Sequence, residues 1–182
     1  MLNPHDVLDA RILIVDDEPA NVQLLERVLA EAGYTNVVAT MSSRDVETLH
    51  HDSPFDLILL DLQMPEMDGF EVMDRLDTVA TNGYLPVIVL TAQPGHKLRA
   101  LQAGARDFIS KPFDLLEVKT RIHNMLEVRL LYKELARYNE VLEQTVRERT
   151  AALAESEARY RRLTQLASDW HWEEDGEGRL LN

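Results

Sequence analysis

Cysteine is absent from the 182-residue chain, which excludes disulfide frameworks, thiolate metal sites and cysteine nucleophiles. No run of eighteen apolar residues is present to span a bilayer. The opening stretch MLNPHDVLDARILIVDDE lacks the basic start and apolar middle of a secretory signal. A cytoplasmic location with no membrane partner is the expectation. Positive charge is scarce too: 19 Lys and Arg stand against 32 Asp and Glu, a formal net charge of -13. Most of the surface would repel a phosphate backbone, so no nucleic-acid partner is expected. What remains, 45% hydrophobic and 28% charged residues, is the balance of a globular protein long enough for one ordinary domain and something extra.

From residue 11 to about 126, short apolar runs alternate with amphipathic stretches. The runs are RILIV at 11–15, NVVAT at 36–40, DLILL at 56–60, PVIVL at 86–90 and DFIS at 107–110. They are nearly unbroken rather than alternating, as suits strands covered on both faces. Between them PANVQLLERVLAEAG, SSRDVETLHH, GFEVMDRLDTV and GHKLRALQAGA read as helices, the first with proline at its start and Gly33 after its end, and a further helix follows Pro112. Five strands interleaved with helices predict an α/β fold, a doubly wound five-stranded parallel sheet. Ligands of such a sheet lie outside the carboxyl ends of the strands.

Those ends carry Asp16, Asp17 and Glu18, then Asp61, Thr91 and Lys111. Carboxylates converging on one edge repel each other unless a cation sits among them, and hard oxygen ligands suit Mg²⁺. A lysine and a hydroxyl at the same edge supply the positive charge and the donor that a phosphoryl group requires. Taken one at a time, each residue has an ordinary explanation as a turn former, helix cap or solvated loop residue. Their joint occurrence at four successive strand ends is what points to a site.

The motifs LIVDDE, LLDLQMPEMDG, VIVLTA and DFISKPF resemble, in order and spacing, those of the receiver domain of two-component response regulators. The resemblance implies a flavodoxin-like receiver in which Asp61 accepts a phosphoryl group from a phosphohistidine on a histidine kinase or histidine phosphotransfer protein. It implies that Asp17, Asp61 and the backbone carbonyl of Gln63 ligate Mg²⁺, with Asp16 acting through bound water. Lys111 would pair with the phosphate, Thr91 would move to hydrogen-bond it, and Phe108 falls where the family places its switch aromatic. Gln63 and Gln93 resemble positions that tune hydrolysis. Beyond self-phosphotransfer and autodephosphorylation, no separate catalytic domain is expected. Gly69 is expected to supply torsions that a side chain would forbid. None of the six histidines has a metal-ligand spacing or a neighbouring nucleophile, and the pair His50 and His51, ending a helix, reads as cationic side chains suited to the dipole.

After Pro112 the pattern does not stop. From Phe113 to Leu166 there is neither glycine nor proline. Val128, Leu131, Leu135, Tyr138 and Leu142 follow a 3-4-3-4 spacing, the seam of a coiled coil. Val146, Leu153, Tyr160 and Ala167 continue it after a stutter. The expected division is a receiver at 9–126, a helical coiled-coil linker at 127–165 and, at 166–182, an incomplete segment that resembles the opening of a PAS domain with Trp170 and Trp172. Two functions compete: a phosphorylation-driven switch relaying through a parallel homodimer, and a phosphate-independent coiled-coil scaffold or docking module.

Overall fold

The computed structural model describes residues 4–79, 84–168, 173–174 and 180–181. The chain forms two compact units, Met1–Leu135 and Ala136–Asn182. The first unit is built on β1 (Arg11–Val15), β2 (Asn36–Thr40), β3 (Leu57–Asp61), β4 (Val87–Thr91) and β5 (Asp107–Ser110). These are all parallel, in the order β2-β1-β3-β4-β5. Helices α2 (Pro19–Glu31), α3 (Asp45–Asp52), α4 (Gly69–Val79) and α5 (Pro94–Gln102) connect them, and α6 runs over Leu115–Ser168. This is the doubly wound sheet expected from the apolar runs.

Alternate residues of the strands enter opposite cores, which is why the runs need to be apolar throughout. Ile12, Ile14, Leu57 and Leu59 pack with Leu25 and Leu29 of α2 and with Val118, Ile122 and Leu126 of α6. Leu13, Val15, Ile58 and Leu60 pack with Val46 of α3, with Val72, Met73 and Leu76 of α4 and with Ala100 of α5. Helices α2 and α6 thus lie on one face and α3, α4 and α5 on the other.

A short α1 (Pro4–Leu8) precedes the expected start of the domain at residue 9. Val7 is buried in the first core. Beneath Gly33, whose φ is +92°, lies the side chain of Leu8.

The N-terminal edge of the sheet holds a second polar cluster. Asp56, just before β3, accepts from the Arg11 backbone N–H at 3.1 Å and from Lys133 Nζ at 2.8 Å, with Arg129 Nε 3.7 Å away. Arg129 Nη1 also donates to the Tyr84 carbonyl, and Tyr84 stacks on Tyr132 at 4.7 Å between ring centroids. Residues 129–133 of α6 therefore belong to the packing of the first unit, past the expected boundary at 126. His50 is not a cationic helix end. Its Nδ1 accepts the Phe55 backbone N–H at 3.2 Å, which requires a neutral ring with its proton on Nε2. Burial, followed by the charge of Arg129, pulls its pKa down while Asp56 opposes them.

In the second unit α6 continues as one helix, and its side chains Tyr138, Leu142, Val146, Leu153 and Tyr160 are exposed. Strands β6 (Glu173–Glu174) and β7 (Leu180–Leu181) pair antiparallel. Trp170 and Trp172, with most of the PAS-like segment, lie outside the described residues.

Candidate functional site

The sheet order reverses direction at β1, which has β2 on one side and β3 on the other. A crevice opens at such a switch point beyond the strands' carboxyl ends. β1 leads directly into Asp16 and Asp17, and β3 ends on Asp61 itself. One carboxylate oxygen from each of Asp16, Asp17 and Asp61 lies within 4.8 Å of the others. Asp16 is fully buried and Asp61 is 5% exposed, so their charges are poorly screened by water.

Lys111, directly after β5, enters the same cluster. Its Nζ donates to Asp16 Oδ2 at 2.8 Å and to Asp61 Oδ2 at 2.8 Å. The Lys111 backbone N–H donates to the Thr91 carbonyl at 2.9 Å, continuing the β4 ladder and steering the side chain to this edge. Burial works against the ammonium, yet its hydrogen bonds to Asp16 and Asp61 outweigh burial and hold its pKa above the ordinary lysine value. Asp61 is pushed up by burial, against the hydrogen bond and charge of Lys111. The Lys111 ammonium pairs with two of the three carboxylates, and the excess of negative charge on hard oxygen donors fits a small divalent cation.

Gln63 contributes its backbone N–H to Asp61 Oδ1 at 3.2 Å, while its side chain is exposed. Thr91 ends β4 and is 1% exposed. Its hydroxyl donates to the Gln93 carbonyl at 3.3 Å and accepts the Gln93 N–H at 3.1 Å. Phe108 on β5 is half-buried, with Lys97 Nζ 4.7 Å and Arg121 Cζ 5.5 Å from its ring centroid. Arg121 is fixed in turn by two bonds of 2.6 Å to Asp107.

Gly69 is required for a reason other than torsion. A Cβ there would sit 2.5 Å from the Asp61 carbonyl oxygen and 2.9 Å from Leu62 Cα. The loop folds its return onto the backbone of the acidic strand end, closed by Gly69 N–H to the Leu62 carbonyl at 3.1 Å. The left-handed torsion in this loop falls on Glu66, at φ 73°. The site also contains a residue that the sequence patterns did not single out. Asn21, in the first turn of α2, donates from Nδ2 to both oxygens of Asp16 at 3.1 Å.

Comparisons with known proteins show which family the chain resembles. The chain is 38% identical over 130 residues to the response regulator PleD of Caulobacter vibrioides strain NA1000 / CB15N, covering 70% of this chain and 28% of that one. It is 32% identical over 154 residues to a Vibrio cholerae protein named as a probable cyclic di-GMP phosphodiesterase, covering 84% of this chain and 34% of that one. The chain thus spans about a third or less of the length of these two relatives. Among solved structures, the chemotaxis response regulator CheY4 of Vibrio cholerae superposes with a TM-score of 0.57 at 29% identity, covering 63% of this chain and 98% of that one. The family model described as response regulator receiver domain matches residues 12–123. That span starts on β1 and runs into α6, enclosing every residue of the acidic edge: the chain belongs to the receiver domains of two-component response regulators.

Proposed function

We propose that Asp61 accepts a phosphoryl group from a phosphohistidine donor, a histidine kinase or histidine phosphotransfer protein, and that the change is relayed through α6. The observation that carries this reading is Lys111 Nζ held 2.8 Å from both Asp16 and Asp61 inside a cluster of three carboxylates. An Asp61 oxygen forms the new bond to phosphorus while the bond from phosphorus to the donor imidazole breaks, its electron pair leaving with the nitrogen. Such a transfer asks the protein for positioning and for charge at the phosphoryl oxygens, and Lys111 is poised to give both. Asp17, Asp61 and the Gln63 carbonyl, with Asp16 through water, would hold Mg²⁺, which supplies charge neutralisation there when bound.

After transfer, the added negative charge draws Lys111 from Asp16 toward the phosphate. Thr91 exchanges its bonds with Gln93 for one to a phosphoryl oxygen, and the space it leaves is open to Phe108. The helix enters because residues 129–133 are fastened to the sheet and the seam beyond them is exposed. An exposed apolar stripe at heptad spacing is stabilised by a second copy, so a parallel homodimer through residues 127–165 is the assembly proposed. Residues 166–182 are read as the start of a PAS-like segment.

The test is intact-protein mass spectrometry after incubation with Mg²⁺ and a small-molecule phosphodonor. One labile phosphoryl group on the wild type and none on Asp61→Asn is the expected result. No adduct on either protein, with the fold intact, would replace this reading with the phosphate-independent coiled-coil scaffold.

A further inference from the structure

We infer that Asn21 is the positioning residue of the acidic site: its side-chain amide orients the buried Asp16 carboxylate and thereby sets the affinity of the cluster for Mg²⁺. The inference rests on the proposed function of that cluster and adds a residue to it.

Asp16 has no exposed surface, so every lone pair left without a donor is costly. Three donors meet it. The Glu18 backbone N–H reaches Oδ1 at 3.0 Å, Lys111 Nζ reaches Oδ2 at 2.8 Å, and Asn21 Nδ2 lies 3.1 Å from each oxygen. The Glu18 contact is part of the turn that leads from β1 into α2. Lys111 is shared with Asp61 and is the group expected to leave for the phosphate. Asn21 is thus the side-chain donor that stays on Asp16 throughout, and its straddling geometry fixes the rotation of the carboxylate about its own axis.

Helix physics explains how the contact arises and why it is not a by-product of helix formation. Side chains in a first turn lean back toward the helix N-terminus, here toward the end of β1. Asparagine disfavours a helical position relative to alanine. The commonest local use of a polar residue there is capping, but the N-cap, Glu18, makes no side-chain cap hydrogen bond, and both described contacts of the Asn21 amide are to Asp16. A partner that orients a metal-facing group is commonly worth about 10- to 100-fold in metal affinity.

The experiment is calorimetric titration of Mg²⁺ into the full chain, comparing wild type, Asn21→Ala and Asn21→Gln, with thermal unfolding of each in the absence of the ion. Asn21→Ala is expected to weaken Mg²⁺ binding about tenfold, while Asn21→Gln, which keeps the amide, recovers most of that loss. Equal affinity in Asn21→Ala and wild type would overturn the inference. So would equal affinity in Asn21→Gln and Asn21→Ala, because the amide would then be irrelevant. If the wild type binds no Mg²⁺, the reading of the acidic site fails and this inference with it. Wild-type binding and phosphorylation with unchanged variants sink the inference alone.

Discussion

Lys133 donates from Nζ to Asp56 Oδ1 at 2.8 Å, so the carboxylate that precedes β3 grips a helix residue beyond the expected end of the domain. Lys133 is half-exposed, whereas Asp56 and Arg129 are nearly enclosed. Removing Asp56 and removing Lys133 should therefore have different costs.

Asp56→Ala leaves the buried Arg129 guanidinium without its carboxylate and is expected to cost about 3 kcal/mol of stability. Lys133→Ala removes an exposed partner and should cost less than about 1 kcal/mol. Urea unfolding of the two variants separates them, and equal losses would show that Arg129 finds compensation elsewhere.

Gly69→Ala places a methyl group against backbone rather than against a yielding side chain. The 2.5 Å approach to the Asp61 carbonyl forces the loop or the strand end to shift, with an expected loss of about 2 kcal/mol. Phosphoryl acceptance should fall as well, because Asp61 itself is displaced. A variant with wild-type stability and rate would mean that the loop relaxes freely.

The neutral state of His50 predicts a pH dependence. Its folded pKa lies below the ordinary histidine value of about 6.5, so between the two values the unfolded chain binds more protons. The contribution is complete above pH about 6.5 and is lost as pH falls below it toward the folded pKa. His50→Gln should flatten the stability profile across this window, read from urea midpoints at a series of pH values. An unchanged slope would assign the titration to another group.

Thr91→Ala should still be phosphorylated on Asp61, since the described hydrogen bonds of the Thr91 hydroxyl are both to the Gln93 backbone and none is to Asp61. What it should lose is any dependence of self-association on phosphorylation. Sedimentation of the protein with and without phosphodonor measures this, and a wild-type response would remove Thr91 from the relay.

Leu142→Lys puts a charge in the exposed seam of α6. If that seam joins two copies, the dimer dissociation constant rises at least about tenfold, or ~1.4 kcal/mol. Sedimentation equilibrium at several concentrations would show it. A variant as associated as the wild type would send the search for an interface elsewhere.

The acidic edge was legible in the sequence because it is a property of strand ends. Asp16, Asp61, Thr91 and Lys111 each close or follow an apolar run, and a parallel sheet brings all such ends together. The runs themselves were displaced by one residue at β3 and β4, so Asp61 and Thr91 are the last residues of their strands rather than the first beyond them. Three features escaped. Helix α1 is a single turn, too short to show a period. Asn21 sits inside an otherwise regular amphipathic pattern and acquires meaning only through the residue it faces. The Asp56 cluster joins residues far apart in the chain, and no local spacing marks them as partners. The role of Gly69 was misread for a related reason: close approach of backbone to backbone is a tertiary fact, whereas a torsional preference is a local one.

β3 is bracketed by Asp56 at one end and Asp61 at the other, with only Leu57, Ile58, Leu59 and Leu60 between them. Slippage of this strand by one position against β1, where Leu60 now faces Val15, would drag one carboxylate into hydrocarbon and pull the other away from its cation. Central strands that are apolar throughout have no such safeguard, since every register buries similar surface. The alignment of Asp61 is thus guarded during folding by Asp56, just before the opposite end of its strand.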